Sequence, residues 1–199
     1  MEFSPPGRPR MIVGISGASG VVYGIRLLQL LKELGIETHL VMSKAAQVTL
    51  TYESDLTVSE VKDLADWNYA TTDIGAAISS GSFKVSGMII APCSIKTLSE
   101  IATGVTSSLL TRAADVILKE RKRLVLIARE TPLHLGHLRS MVAATEAGAI
   151  IYPPVPAFYA KPASIEEMVD HTLGRVLDLY GLESRTVRRW DPNNLHSMS

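Results

Sequence analysis

The chain has one cysteine, Cys93, in 199 residues. One thiol cannot close an internal disulfide, so the fold needs no oxidising compartment. It also lacks a surplus of either charge, since 20 Lys and Arg stand against 20 Asp and Glu. That argues against nucleic acid or an anionic membrane as partner, because both call for a basic excess on one face. No apolar run approaches the roughly 20 residues of a membrane helix. The opening segment, MEFSPPGRPR, lacks the apolar centre of a signal peptide. There is no internal repeat, no low-complexity tract and no linker between domains. These absences lead us to expect a cytoplasmic protein with one domain over residues 11–182. A disordered lead-in, 1–10, would precede it. A polar tail, 183–199, would follow, either loose or docked through Trp190. A neutral chain is also less protected against self-association.

The composition, 46% hydrophobic and 20% charged, is that of a globular protein. Met11 to Ile15 reads as a buried strand, SGASG as a turn, Val21 to Leu34 as a helix closed by Gly35, and Glu37 to Met42 as a second strand. Together they make one βαβ unit. The rhythm recurs. Helices are expected over Ala45–Glu53, Val58–Ala65, Thr97–Thr103, Leu109–Lys119, Leu135–Ala147 and Ser164–Tyr180. Strands are expected over Gly87–Ala91, Leu124–Ala128 and Ala149–Tyr152. The strands are continuous apolar runs, which marks burial on both faces of a parallel sheet. The expected class is α/β, a three-layer sandwich around a mostly parallel sheet.

Ligands of open parallel sheets bind beyond the carboxyl ends of the strands. Those ends carry Ser16, Gly17, Ser19 and Gly20, then Ser43 and Lys44, then Ser94 and Thr97, then Arg129 and Glu130. Hydroxyls, helix N-termini and a cation suit a phosphorylated ligand. GISGASG is neither GxGxxG nor a Walker loop, and a tight turn with a serine cap would need no ligand at all. Cys93 reads as a small buried residue rather than a nucleophile, because no neighbour supplies a base. His134 and His137 could share a helical face, but no third ligand follows, and we assign no metal. TRAADVILKERKR is either a solvated basic helix or, through Arg112 and Lys119 on one face, a clamp for a second phosphate.

GISGASG, SKAAQ, ISSGSF, APCSIKTLS, TRAADVILKERK, RETPL and PPVPAFYAKP occur in one order over about Arg10 to Leu182. In this the chain resembles the UbiX-like flavin prenyltransferases, above all the branch known as phenolic acid decarboxylase small subunits. The resemblance implies a flavodoxin-like Rossmann fold and a homo-dodecamer with active sites at subunit interfaces. It implies transfer of a dimethylallyl group from dimethylallyl phosphate to reduced FMN, without a metal. The prenylated FMN would serve a UbiD-like decarboxylase.

By the same resemblance Gly17, Ala18, Ser19, Ser43, Ser94, Thr97 and Arg129 hold FMN, with the Gly14–Gly20 turn on its phosphate. Lys119, Arg129, Tyr159 and Arg175 hold the dimethylallyl phosphate, bordered by Arg112 and the Ser80–Gly81 loop. Ser19, Glu53, Glu130 and Lys119 are the catalytic candidates. Glu130 beside Arg129 could equally be half of a structural ion pair. Two departures stand out: Ser16 where many members carry Thr, and Arg139 in HLGHLRSM where many carry an acid. Two other functions fit the fold. One is an FMN-dependent cysteine decarboxylase, although APCSIKT stands where those enzymes carry a PASANT-like stretch. The other is a non-catalytic flavin-binding partner of a decarboxylase.

Overall fold

The computed structural model describes residues 7–184 and 187. Residues 1–6 of the expected lead-in, and Trp190 with most of the tail, lie outside the described residues. The chain divides into two compact units, one through Pro154 and one from Val155.

The first unit holds a six-stranded sheet: β1 (Arg10–Ile15), β2 (Glu37–Met42), β3 (Trp67–Tyr69), β4 (Gly87–Cys93), β5 (Arg123–Ala128) and β6 (Ala149–Ile151). The order is β3-β2-β1-β4-β5-β6 and every pairing is parallel. Without the three-residue edge strand β3, the order is that of the flavodoxin fold, and strand order reverses between β1 and β4. The helices are α1 (Val21–Glu33), α2 (Lys44–Glu53), α3 (Val58–Asp63), α4 (Ile95–Thr103), α5 (Leu109–Lys119) and α6 (Leu135–Glu146). Among the described residues no helix is long and apolar enough to cross a membrane.

The apolar runs become strands because both of their faces are covered. All seven residues of β4 are buried. Each large aliphatic side chain taken out of water there contributes roughly 1.5–3 kcal/mol. Neighbouring strand residues point to opposite faces, and the contacts of Gly14 and Ile15 show what covers each. The Cβ direction of Gly14 points at Leu110 of α5, whereas Ile15 packs against Gly24 of α1. So α1 and α5 lie on opposite faces. The α5 side encloses a core containing Ile12, Met88, Ile90, Leu110, Ala114 and Leu126.

Two elements of this unit were not expected. Strand β3 is too short to show a period, and an edge strand needs only one side. It is held by aromatic packing, with the ring of buried His39 stacked between Trp67 and Tyr69 and Phe83 edge-on to it. A short 3-10 turn, Ala77–Ser79, follows it. Arg10, expected in a disordered lead-in, instead starts β1 and pairs with Glu37 at 3.0 Å. Arg8 pairs with Asp66 at 3.1 Å.

The second unit carries a 3-10 turn, Phe158–Ala160, and α7 (Ile165–Asp178). Ser164 caps α7 by accepting the Glu167 N–H, and Gly181 follows at φ 70°.

Candidate active site

Main-chain hydrogen bonds stitch the strand ends together at the carboxyl edge. The Ser43 N–H donates to the Ile15 carbonyl at 2.9 Å, and the Arg129 N–H to the Cys93 carbonyl at 3.1 Å. These bonds tie β2 to β1 and β5 to β4. Between β1 and β4 the registered pairs end at Gly14 and Ile90. Beyond them the Ser16 N–H reaches the Pro92 carbonyl at 3.1 Å. This junction is the reversal point at which open α/β sheets bind their ligands.

Three helices begin at the same edge, each behind a serine. Ser43 accepts the Ala46 N–H at 3.0 Å. Ser94 accepts the Thr97 N–H at 3.3 Å and donates to the Thr97 hydroxyl at 3.2 Å. Ser108 accepts the Thr111 N–H at 3.4 Å. Their first turns line a cleft of about 470 Å³ together with Gly17, Lys44, Lys96 and Glu130. Helix N-termini carry partial positive charge, while Lys44 and Lys96 are offset by Glu100 and Glu130, Lys96 lying 3.8 Å from Glu100. The volume is that of a small-molecule site.

Of the expected residues, Gly17, Ser43, Ser94, Thr97 and Glu130 meet in this cleft. Thr71, Glu100 and Ser107 also line it and were not singled out from the sequence. The Ser107 hydroxyl donates to Glu100 at 2.9 Å. The serines before α5 are legible as a cap, but no pattern in the sequence points to Glu100.

Ser19 and Glu53 meet at the turn before α1. Gly17 must be glycine here, because a Cβ would lie 2.3 Å from that of Ala45. Gly20 enters the helix at φ 100° and has no side chain to cap it. Glu53, at the end of α2, does so instead, accepting the Gly20 N–H at 2.8 Å and the Val21 N–H at 3.0 Å. Partial burial pushes the Glu53 carboxyl upward. Hydrogen bonds from the Ser19 side chain and from the Gly20 and Val21 amides, with the charge of Arg129, outweigh that effect and hold its pKa below the ordinary value. The start of α1 therefore already carries an anion. The Gly20 and Val21 amides of the turn expected to cradle a phosphate are thus engaged by this carboxylate. Glu130 accepts the Thr131 N–H at 3.1 Å.

A second cluster lies elsewhere in the first unit. Lys119 pairs with Glu120 at 2.5 Å. The Ser80–Gly81 loop rests against this pair, since a Cβ on Gly81 would approach Lys119 Nζ to 2.8 Å. Arg112 pairs with Asp115 at 2.7 Å. Lys119 stands at the far end of α5 from Ser108, about 16 Å along the axis at 1.5 Å per residue. The fold of one chain does not bring Lys119 to the cleft. In the second unit Tyr159 meets His171 edge-on, with ring centroids 5.7 Å apart, and Arg175 pairs with Asp178 at 2.7 Å.

His134 proves to be a cap. Its Nδ1 accepts the Gly136 N–H at 3.0 Å and its ring lies 3.6 Å from that of His137. Among the described residues no group of three or more His, Cys, Asp or Glu is placed to hold a metal.

Cys93 is fully buried, and burial pushes its thiol far above the ordinary value. A thiolate is the reactive species. A maleimide should therefore leave the native protein unlabelled at neutral pH and label one thiol per chain in denaturant. Rapid native labelling would show that β4 opens.

Comparison with known proteins bears on this arrangement. The flavoprotein family model matches residues 4–177. The flavin prenyltransferase UbiX of Escherichia coli K12 is 60% identical over 174 residues, which is 87% of this chain and 92% of that one. The crystal structure of AnUbiX (PadA1) in complex with FMN and dimethylallyl pyrophosphate superposes with a TM-score of 0.91 at 52% identity, covering 92% of this chain and 98% of that one. A dodecameric FMN-dependent UbiX-like decarboxylase from Escherichia coli O157:H7 does so with a TM-score of 0.89 at 47% identity, covering 92% and 99%.

Proposed function

The chain belongs to the flavoprotein family and, within it, to the UbiX-like flavin prenyltransferases, and on that premise we propose that it joins a dimethylallyl group from dimethylallyl phosphate to reduced FMN. The observation that carries this reading is the cleft at the β1–β4 reversal, rimmed by three serine-capped helix starts and two lysines. Its hydroxyl and amide donors fit a flavin's phosphate and polyol, so we assign FMN to it. Gly17, Ser43, Ser94 and Thr97 would hold the flavin there, with Ala18, Ser19 and Arg129 beside them.

Reduced FMN supplies the nucleophilic ring atoms. The allylic C–O bond breaks and phosphate leaves with the electron pair. The freed allyl carbon would bond to the flavin first; the second bond would form as the allyl double bond takes up a proton at one carbon and joins the flavin ring at the other, the ring carbon giving up its own proton. The chain's task is to stabilise the departing phosphate with fixed cations and to keep water from the allyl fragment. Lys119 and Arg129 are assigned to the phosphate, with Tyr159 and Arg175 on the strength of the resemblance and Arg112 and Ser80–Gly81 at the border. Glu53 is held ionised, which makes it a weak base. Proton removal works best with a group titrating near neutrality, and the inorganic phosphate released when the allylic C–O bond breaks is such a group. The departing phosphate is then the better proton acceptor, Glu130 is the carboxylate that lines the cleft, and Glu53 fixes the turn that presents Ser19.

Lys119 lies far along α5 from the cleft, so we propose that it serves the cleft of another copy. A ring or shell of subunits supplies that geometry, and the solved dodecameric relative supports it. Exposed Leu135, Leu138 and Val142 form an apolar stripe on α6 that such contacts could cover. The proposal places the enzyme in the cytoplasm, with its prenylated flavin passing to a UbiD-like decarboxylase.

The test is to mix purified protein, reduced FMN and dimethylallyl phosphate without oxygen and to weigh the flavin. A gain of one five-carbon prenyl unit is expected. Bound flavin of unchanged mass would favour the non-catalytic partner instead.

A further inference from the structure

We propose that Ser16, to which no role in the flavin site has been given above, is the positioning residue that sets the spacing between the two walls of that site. The inference rests on the flavin reading just given. The Ser16 side chain is 1% exposed, so it cannot touch a ligand in the cleft. Its hydroxyl is engaged in both directions. It donates to the Pro92 carbonyl at 3.0 Å and accepts the Ser94 N–H at 2.7 Å. The next residue on one side, Gly17, lines the cleft, as do Ser94 and Thr97 on the other. One buried hydroxyl thus spans the crevice beneath the ligand and joins the turn after β1 to the start of α4.

The backbone alone sets this spacing poorly. Registered pairing of β1 with β4 stops at Gly14 and Ile90, and β4 shifts register against β5 between Ile90 and Cys93. Past that point the Ser16 N–H and hydroxyl are the bonds that hold Pro92 and Ser94 to β1. The chain continues through the Ser94 hydroxyl to Thr97. Without the Ser16 hydroxyl the Ser94 N–H loses its acceptor. A buried donor left unmade is costly, so the start of α4 shifts to find another. Such a shift changes the distance between two groups that must grip one ligand, and displacements of an ångström are strongly felt in a site.

The test uses Ser16→Ala, Ser16→Thr and, as a control for stability alone, Val61→Ala. Val61 is fully buried in α3, outside the residues assigned to the flavin. Melting temperature and FMN dissociation constant are measured for each, the latter by flavin fluorescence. Ser16→Ala is expected to weaken FMN binding about ten-fold, equivalent to about 1.4 kcal/mol. Ser16→Thr keeps the hydroxyl and should bind as the wild type does. Val61→Ala should melt earlier with FMN affinity unchanged. Wild-type affinity in Ser16→Ala would overturn the inference, as would a Ser16→Thr as weak as Ser16→Ala. Should Ser16→Ala fail to fold, Ser16→Cys takes its place, with the same loss expected and unchanged affinity overturning the idea. A wild-type protein that does not bind FMN would instead overturn the parent reading.

Discussion

Lys119→Ala is expected to leave FMN binding close to wild type while lowering prenyl transfer about 10²–10³-fold, the usual loss when one group that stabilises developing negative charge is removed. The two observables should separate because the two proposed sites lie apart. The cleft assigned to FMN is lined by the starts of α2, α4 and α5, whereas Lys119 is at the other end of α5 with Glu120 and Gly81. Loss of FMN binding in Lys119→Ala would show that the division into two phosphate sites is wrong.

A mixing experiment asks whether the lysine acts on another copy. Lys119→Ala and Ser19→Ala chains, each nearly inactive, are unfolded together and reassembled. If each site draws Ser19 from one chain and Lys119 from another, random assembly leaves about a quarter of the sites with both intact. Activity then reappears in the mixture. If both residues act within one chain, no intact site is created and the mixture stays as inactive as its parts.

Glu53→Ala is expected to combine a small loss of stability with a large loss of turnover. The carboxylate caps α1 through two amides, and losing a cap costs about 0.5–2 kcal/mol. The same change releases the turn that carries Ser19, and misplacement of a reacting group by an ångström can cost roughly 10²-fold in rate. Glu53→Gln keeps an acceptor but no charge, so it should fall between wild type and Glu53→Ala. Equal turnover in all three would remove Glu53 from the site.

The acid limb of stability carries a signature of the same residue. The folded pKa of Glu53 lies below its ordinary value of 4.5. A carboxylate so depressed contributes stability above the unfolded pKa, and that contribution is lost as pH falls through the folded pKa. Urea midpoints of wild type and Glu53→Gln should therefore differ most near neutrality and converge as pH falls below the ordinary value and through the depressed folded pKa. A difference that does not shrink anywhere along the acid limb would show that charge is not what Glu53 contributes.

The sequence makes the local parts of this molecule legible. The β1–α1–β2 unit lies within a residue of its expected bounds, because apolar period and Gly35 mark it without help from the rest of the chain. Ser43 is recognisable as a cap for the same reason, a serine just before a helix having one local use, whereas the expected start at Thr97 hides Ser94, which caps a helix beginning at Ile95. What stays hidden depends on distance along the chain. Glu53 reaches amides more than thirty residues earlier, and Ser16 bonds to a residue 78 positions away. Neither leaves a periodic or compositional trace. Arg112 and Lys119 read correctly as one face of a helix, but their spacing does not reveal that the helix runs away from the cleft. That the Gly20 and Val21 amides are taken by a carboxylate is hidden on the same ground, since Glu53 arrives from the far end of α2. Strand β3 escaped because three residues held by a histidine's aromatic neighbours have no pattern to detect.

The buried thiol of Cys93 makes the native surface blank to sulfur chemistry. A cysteine introduced at Tyr52, which is 85% exposed, would be the one site a maleimide dye can reach without denaturant. Tyr52 adjoins Glu53 in sequence, so a fluorophore there would sit near the turn that presents Ser19. Wild-type residues would then remain at every position assigned above to FMN or phosphate, while the dye followed the arrival and departure of flavin in real time.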